Sequence, residues 1–268
     1  MYQKQMQMPR DPRNSKQRQT NRRSAGRNTK SFNPSSTYGR PDVRIRVVNS
    51  ASEIQTLSND DVILFPKFLP SGLYPTLIDE LNECEFKSWN EGCHTLTEHA
   101  SESPTFNRIV QEMCAAFLIE PSTCSTRFNW FVDDKDWKSL HFDSAAFNKE
   151  RAKVQNITVA VSIGGTREVV FEHASSGTKM YIPQPDGQLY TFGRDVNIRW
   201  QHGVNAIPEE KQIGAGRISI VLWGNAKNTD LSESALPLID NRPTCRDFLK
   251  GECKYGTRCK FKHASCQT

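Results

Sequence analysis

The chain has 268 residues, a formal net charge of +5 and 36% hydrophobic residues, which allows one or two domains of ordinary size. No run of about 18 apolar residues occurs, so the sequence predicts no membrane-spanning helix. The charge is uneven: residues 1–46 and 242–268 are basic, whereas the segment between them holds 16 basic and 26 acidic residues. We therefore expect affinity for polyanions at the two ends of the chain.

The first 42 residues are polar and basic, with few aliphatic side chains. Such a segment buries too little apolar surface to offset the entropy of ordering, so residues 1–42 are predicted to be a disordered basic tail. The tail either binds nucleic acid or only maintains solubility. Its arginines also suit a mitochondrial transit peptide, but Pro9 and Pro12 disfavour the amphipathic helix of such a peptide, and we expect a cytoplasmic or nuclear protein.

A mainly β domain with flanking helices is predicted for residues 43–225. Residues 71–81 place leucines four residues apart, which predicts a helix that covers a sheet. In residues 157–163, isoleucine and valine alternate with smaller or polar residues, which predicts a strand. Short strands separated by frequent turns indicate a barrel or a double-sheet jelly roll.

Three residues of this domain are candidate metal ligands. In the segment LHFDSAAF, His141 and Asp143 are two residues apart, so a strand would place them on the same face. The segment VNIRWQHGV, interpreted as one strand, puts His202 on the face of Val196 and Trp200 and so points it inward. Two imidazoles and one carboxylate leave open positions on an ion, as in non-haem Fe(II) oxygenases. For either histidine alone, a hydrogen-bonded core role is the alternative.

A candidate co-substrate site follows on the strand GRISIVLWG, which places Arg217 and Ser219 on one face. A buried arginine requires an anion, and a carboxylate of 2-oxoglutarate would fit the guanidinium group, with Ser219 as a further donor. A structural arginine paired with a core acid is the alternative. Asn129 and Phe131 share a face of the segment FNWFVDD and would line the same cavity.

Over about residues 60–225 the sequence resembles the AlkB-like branch of the 2-oxoglutarate oxygenases. The resemblance lies in the order of H-x-D, a distal His-Gly and a downstream Arg, and in the segments SIGGTREVVFEH and DGQLYTFGRDVNIRWQHGV. It implies a double-stranded β-helix (jelly roll) in which Fe(II) is bound by His141, Asp143 and His202, and 2-oxoglutarate by Arg217 and Asn129. It also implies the use of O2 to oxidise an N-methyl group, which then leaves as formaldehyde.

The sequence departs from this family at three positions. Trp223 stands where a second arginine usually follows the first, and Phe131 replaces a tyrosine that commonly helps to hold 2-oxoglutarate. Ala145 replaces an acidic residue that often faces the target base. The third departure weakens the inference of a nucleobase substrate.

The C-terminal segment carries a second metal motif, after a predicted linker at residues 226–242. Cys245, Cys253, Cys259 and His263 have the spacing C-x7-C-x5-C-x3-H, a set that closes a tetrahedral Zn(II) site. The segment resembles the CCCH zinc fingers of RNA-binding proteins, and we predict a finger at residues 243–265. It holds too few aliphatic residues for a core, so the metal must stabilise the fold.

Aromatic and cationic residues alternate between the predicted zinc ligands. Aromatic faces stack unpaired bases and cations contact phosphates, so these residues predict binding of RNA or single-stranded nucleic acid. The candidates are Phe248, Tyr255, Phe261, Lys254, Arg258 and Lys260. A finger that binds protein is the alternative.

The sequence therefore predicts an Fe(II)/2-oxoglutarate-dependent dioxygenase, an oxidoreductase that the finger recruits to RNA. A modified nucleobase in RNA or DNA is the favoured substrate, and a monomer without membrane contact is expected. One alternative is a protein hydroxylase or demethylase of the same class. The other is a non-catalytic RNA-binding protein on an oxygenase scaffold.

Overall fold

The computed structural model describes residues 43–54, 57–88, 94–96, 100–227, 236–240, 243–255, 259 and 261–263. The predicted tail at residues 1–42 lies outside these ranges, as does most of the predicted linker. Within the described part, every helix is too short or too polar to cross a bilayer.

Two β-sheets form the framework. The strands are β1 (Arg44–Val47), β2 (Asp61–Phe65), β3 (Phe86–Ser88), β4 (His94–Leu96), β5 (Ser125–Phe131), β6 (Lys138–His141), β7 (Ile157–Gly164), β8 (Arg167–His173), β9 (Lys179–Gln184), β10 (Leu189–Gly193), β11 (Trp200–Val204) and β12 (Arg217–Gly224). The large sheet has the order β1-β2-β10-β7-β12-β5-β4-β3, and the small sheet has the order β6-β11-β8-β9.

Strands β5 to β12 form a double-stranded β-helix. Four of them, in the order β10-β7-β12-β5, lie in the large sheet, and the other four make up the small sheet. Each neighbouring pair within these two sets is antiparallel. Apart from the β8–β9 hairpin, the chain crosses from one sheet to the other with each successive strand. The predicted jelly-roll fold class is therefore confirmed.

Alternation along the strands creates two cores. On β7, the isoleucines and valines from Ile157 to Ile163 are fully or almost fully buried in the core of the large sheet. Ala160, on the other face of β7, packs instead into the core between the sheets, together with Phe171 and Trp200. The predicted strand at residues 157–163 is confirmed.

Six α-helices lie within the described residues, and those that begin at residues 51, 73 and 104 pack on the outer face of the large sheet. The helices are α1 (Ala51–Ile54), α2 (Leu73–Glu80), α3 (Pro104–Phe117), α4 (Lys149–Val154), α5 (Arg194–Arg199) and α6 (Arg246–Leu249), with 3-10 helices at Ala100–Glu102, Pro121–Thr123, Ser144–Ala146 and Glu209–Lys211. Leu77 of α2 and Leu81, which follows the helix directly, are both buried, as the leucine spacing predicts. Ser103 caps the N-terminus of helix α3, because its side chain accepts a hydrogen bond from the Phe106 N–H.

The segment VNIRWQHGV is a helix followed by a strand, which corrects its interpretation as one strand. Helix α5 occupies Arg194–Arg199 and β11 begins at Trp200. Asp195 lies in the first turn, where a carboxylate favours helix formation, and Val196 is still fully buried. The apolar residues of this segment therefore alternate because they are buried, and not because the whole segment is a strand. His202 is buried, as predicted.

Candidate functional site

His141, Asp143 and His202 converge at one end of the space between the sheets. His141 is the last residue of β6, Asp143 follows just beyond the strand, and His202 lies opposite His141 on β11. The Nε2 atom of His202 is 3.6 Å from Asp143 Oδ2, and that of His141 is 3.9 Å from Asp143 Oδ1. One ligand atom from each of the three residues lies within 4.8 Å of the others. The donors suit a single metal ion.

Hydrogen bonds fix the orientation of these ligands. His141 Nδ1 lies 2.8 Å from the Ser139 carbonyl oxygen. Because a carbonyl only accepts, Nδ1 carries the proton and Nε2 presents its lone pair towards Asp143. Thr158 Oγ1 donates to Asp143 Oδ2 at 2.8 Å, and Asn197 Oδ1 accepts from the Asp143 N–H at the same distance. These contacts hold the side chains of His141 and Asp143 in place.

Electrostatics keep the triad in its ligand form. Burial lowers the pKa of His202 to about 3, because a charged imidazole is poorly solvated there. Burial alone would raise the pKa of Asp143, but the electrostatic interaction with the adjacent His202 and His141 rings and the Thr158 hydrogen bond outweigh burial, so the pKa of Asp143 is lowered. A neutral imidazole and an ionised carboxylate are the species that bind a divalent metal.

A cleft of about 410 Å³, including its open mouth, leads away from the triad. The walls combine polar groups with aromatic and aliphatic ones: Asn129, Phe131, Lys138, Thr158, Tyr190, Val204, Ser219, Val221 and Trp223, beside the triad itself. The predicted co-substrate residues Asn129 and Ser219 and the two substituted positions, Phe131 and Trp223, therefore face the cleft.

Arg217 lies at the far end of the same face of β12. It is fully buried, its Nε donates to Ser162 Oγ at 2.8 Å, and its Cζ is 5.1 Å from the centre of the Phe131 ring. Arg167 is also buried, but it has the purely structural role of an arginine paired with an acid, because its guanidinium group lies 2.9 Å from Asp134 Oδ1. Arg217 instead shares its face with Ser219, two residues nearer the triad.

Sequence reasoning missed three polar residues of this site. Thr158 and Asn197 bind Asp143, and Lys138 Nζ donates to Asn129 Oδ1 at 3.0 Å inside the cleft. The alternation of β7 gives a signal for Thr158, since it places Thr158 on the face opposite the isoleucines. Ala145 is buried within the 3-10 helix that follows Asp143.

The four predicted zinc ligands also converge. One ligand atom from each of Cys245, Cys253, Cys259 and His263 lies within 4.8 Å of the others. His263 Nε2 is buried and has no hydrogen-bond partner among the described atoms, as expected for a donor kept for a metal. The Phe248 ring stacks on the His263 ring at 4.1 Å, with an angle of 8° between the planes. This donor set fits tetrahedral zinc.

The aromatic candidates for RNA binding are accessible on the finger. Phe248, Tyr255 and Phe261 are 37%, 68% and 49% exposed, and Lys254 is exposed beside Tyr255. Arg258 and Lys260 lie outside the described residues. Exposed rings on a zinc module without an aliphatic core are suited to stacking on bases.

The chain that leads to the finger contacts the β-sheet domain close to the triad. The Ile239 N–H, within the predicted linker, donates to the Ala146 carbonyl oxygen at 2.8 Å. Lys262 Nζ in the finger reaches the Asp240 carbonyl oxygen at 3.4 Å. Ala146 is three residues beyond Asp143, so the finger is attached beside the metal site.

Residues 240–264 match the family "Zinc finger C-x8-C-x5-C-x3-H type (and similar)". The chain has seven residues in place of eight between the first two cysteines. A comparison with curated proteins finds no match.

Among solved structures, the chain is similar to a Pseudomonas putida prolyl-4-hydroxylase at 14% identity, with 66% of this chain and 97% of that chain covered and a TM-score of 0.43. It is also similar to OsALKBH1 at 14% identity, with 61% and 97% covered and a TM-score of 0.42. A third similar structure is an oxidoreductase of the 2OG-Fe(II) oxygenase family from Burkholderia pseudomallei, at 10% identity, with 69% and 97% covered and a TM-score of 0.45.

Proposed function

We propose that this chain is an Fe(II)/2-oxoglutarate-dependent dioxygenase that oxidatively demethylates a modified nucleobase in RNA or another single-stranded nucleic acid. The observation that carries the proposal is the convergence of two imidazole Nε2 atoms and one carboxylate at the end of a cleft. Three protein ligands leave open positions on an octahedral ion, which a chelating co-substrate and O2 require.

Different residues in and beside the cleft would bind the metal, bind the co-substrate and exclude water. His141, Asp143 and His202 would hold Fe(II), which supplies the activation of O2 when bound. Arg217 and Ser219 would bind the carboxylate of 2-oxoglutarate that is remote from the metal, because they share a face of β12 that runs towards the triad. The apolar groups on the wall of the cleft exclude water from the reacting atoms.

The finger supports nucleic acid as the substrate class. Its aromatic residues are exposed, and residues 242–268 carry 7 basic and 2 acidic residues. The Ile239 contact with Ala146 attaches the finger beside the triad, so a strand bound to the finger would remain near the cleft. Cytoplasmic or nuclear localisation and a monomeric state belong to this proposal.

A protein substrate is the second candidate. Ala145 brings no acidic side chain to the position that would face a base, and the middle of the chain has a net charge of −10. Such a domain would repel phosphates and tolerate basic peptides. An oxygenase of this type would hydroxylate or demethylate a side chain with the same metal and co-substrate.

Succinate and formaldehyde formation by the Fe(II)-loaded protein tests these candidates. The panel should contain RNA and single-stranded DNA with N-methylated bases, the same strands without methyl groups, and methylated and unmodified basic peptides. We expect formaldehyde to form with methylated RNA in step with succinate. Stimulation by peptides alone would support the protein substrate, and no succinate with or without substrate would leave a non-catalytic RNA-binding scaffold.

A further inference from the structure

A bulge in β6 turns Lys138 towards the cleft. His202 pairs with His141, but Val204, two residues further along β11, pairs with Lys138, which is three residues before His141. Strand β6 therefore has one more residue than β11 over this stretch. In a regular strand, residues three apart face opposite sides, whereas here Lys138 and His141 both line the cleft.

Gly203 allows this bulge to form. A Cβ atom at position 203 would lie 2.7 Å from the Lys138 carbonyl oxygen and 2.9 Å from the carbonyl carbon and oxygen of Ser139. These contacts are with backbone atoms, which cannot rotate away. The direction of Lys138 is therefore built into the packing of β6 against β11.

The Lys138 side chain crosses from the small sheet to the large sheet. Its Nζ donates to Oδ1 of Asn129, which is only 2% exposed, at 3.0 Å. Asn129 pairs with Ser219 on the neighbouring strand. Lys138 therefore brings a positive charge to the middle of the cleft, between the triad and Arg217.

The residues along β12 indicate which part of an anionic ligand the Lys138 ammonium group would contact. Arg217 lies at one end, and Trp223 at the other pairs with Thr158, which binds Asp143. Val221 and Trp223 are uncharged, and the guanidinium carbon of Arg127 lies 5.5 Å from the centre of the Trp223 ring. Among the described residues that line the cleft, however, Lys138 is the one lysine or arginine. A dicarboxylate that reaches from the metal towards Arg217 would pass Lys138, and its metal-side carboxylate would then lie near this ammonium group.

We propose that Lys138 binds the carboxylate of 2-oxoglutarate that is adjacent to the 2-oxo group. The inference rests on the proposed function and deepens it, because it divides the two carboxylates between Lys138 and Arg217. Asn129 positions the ammonium group through its Oδ1 atom, so that the charge is held within the cleft and does not extend into solvent.

Binding to the Mn(II)-loaded protein tests this assignment without turnover. Each ligand is titrated separately, and water-proton relaxation reports the displacement of metal-bound water. The two ligands are 2-oxoglutarate, which has both carboxylates, and 2-oxobutyrate, which lacks the remote one. The variants are Lys138→Gln, which removes the charge, Lys138→Arg, which keeps it, and Lys135→Gln as a control on an exposed lysine of the preceding loop.

We expect Lys138→Gln to lower the affinity for both ligands by about ten- to a hundredfold, which corresponds to the loss of a charge-assisted hydrogen bond. Lys138→Arg should recover most of the affinity, and Lys135→Gln should bind as the unmodified protein does. Unchanged Mn(II) affinity in all variants verifies that the triad is intact.

Three results would overturn the assignment. If Lys138→Gln weakens the binding of 2-oxoglutarate but leaves the binding of 2-oxobutyrate unchanged, Lys138 binds the remote carboxylate. Unchanged binding of both ligands would remove Lys138 from the co-substrate site, and a raised KM for RNA would then assign it to the substrate. No binding of 2-oxoglutarate by the unmodified Mn(II) protein would overturn the proposed function itself, and this inference with it.

Discussion

Asn197 and Asp143 exchange two hydrogen bonds: the Asp143 N–H donates to Asn197 Oδ1 at 2.8 Å, and Asn197 Nδ2 donates to the Asp143 carbonyl oxygen at 3.1 Å. Asn197 of α5 thereby holds the backbone of Asp143, a proposed metal ligand that lies just beyond β6. These bonds link helix α5 to the segment that follows β6.

Asn197→Ala should weaken metal binding by about ten- to a hundredfold, the usual effect of losing a group that orients a ligand. Titration of the metal-free protein with Fe(II) or Mn(II) measures the change. Asn205→Ala is the matched control, because Asn205 is exposed just after β11. Equal metal affinity in both variants would show that Asn197 is not needed to hold Asp143.

Arg217→Lys should raise the half-saturating concentration of 2-oxoglutarate by about ten- to a hundredfold, because an ammonium group cannot replace a bidentate guanidinium. The fold should be retained, since Lys keeps the buried stem and the charge. Succinate formation at varied 2-oxoglutarate checks the value, with Arg108→Lys, an exposed residue of α3, as a control. A requirement equal to that of the unmodified protein would make Arg217 structural.

Asp134 stabilises the loop that leads to β12. Its carboxylate pairs with Arg167 Nη1 at 2.9 Å, and its Oδ2 accepts the N–H groups of Ile213 and Gly214 at 2.6 Å. Asp134→Ala should lower the free energy of unfolding by about 3–5 kcal/mol, because Arg167 is left buried without its acid. Arg167→Met should then cost less in the Asp134→Ala background than in the unmodified protein, and additive losses in chemical denaturation would refute the coupling.

The contribution of Asp134 should also depend on pH. Burial alone would raise the pKa of Asp134, but the three backbone N–H donors and Arg167 outweigh it and lower the pKa. A lowered folded-state pKa adds stability above the unfolded value of about 3.9, and this stability is lost as the pH falls through the folded value. The difference in unfolding free energy between the unmodified protein and Asp134→Ala should be constant near neutral pH and shrink below about pH 4. A difference that grows on acidification would contradict the sign.

Removal of residues 242–268, or extraction of zinc, should weaken RNA binding and lower turnover on long RNA. Decarboxylation of 2-oxoglutarate without substrate should change little, because the triad lies in the other domain. In the full chain, RNA affinity should fall as salt rises. Mobility-shift and succinate assays on both proteins measure these effects, and equal RNA affinity with and without the finger would refute recruitment.

The sequence predicts those parts of the site that depend on strand alternation. The faces of β7 and β12, and the shared position of Arg217 and Ser219, follow from a period of two. Lys138 could not be found this way, because a bulge breaks the period, and the bulge depends on how β6 packs against Gly203 of a distant strand. Asn197 was missed because buried apolar residues in a short helix imitate the pattern of a strand.

The shared metal and co-substrate site is tested most directly by anaerobic absorption spectroscopy of the protein with Fe(II) and 2-oxoglutarate. A 2-oxo acid that chelates Fe(II) gives a visible charge-transfer band, without any need for the true substrate. We expect this band in the unmodified protein and its loss in His141→Ala and Asp143→Ala, with circular dichroism unchanged, because packing already holds the strands. Succinate formation should be lost with it. No band in the unmodified protein, or an equal band in both variants, would contradict the assignment of the site.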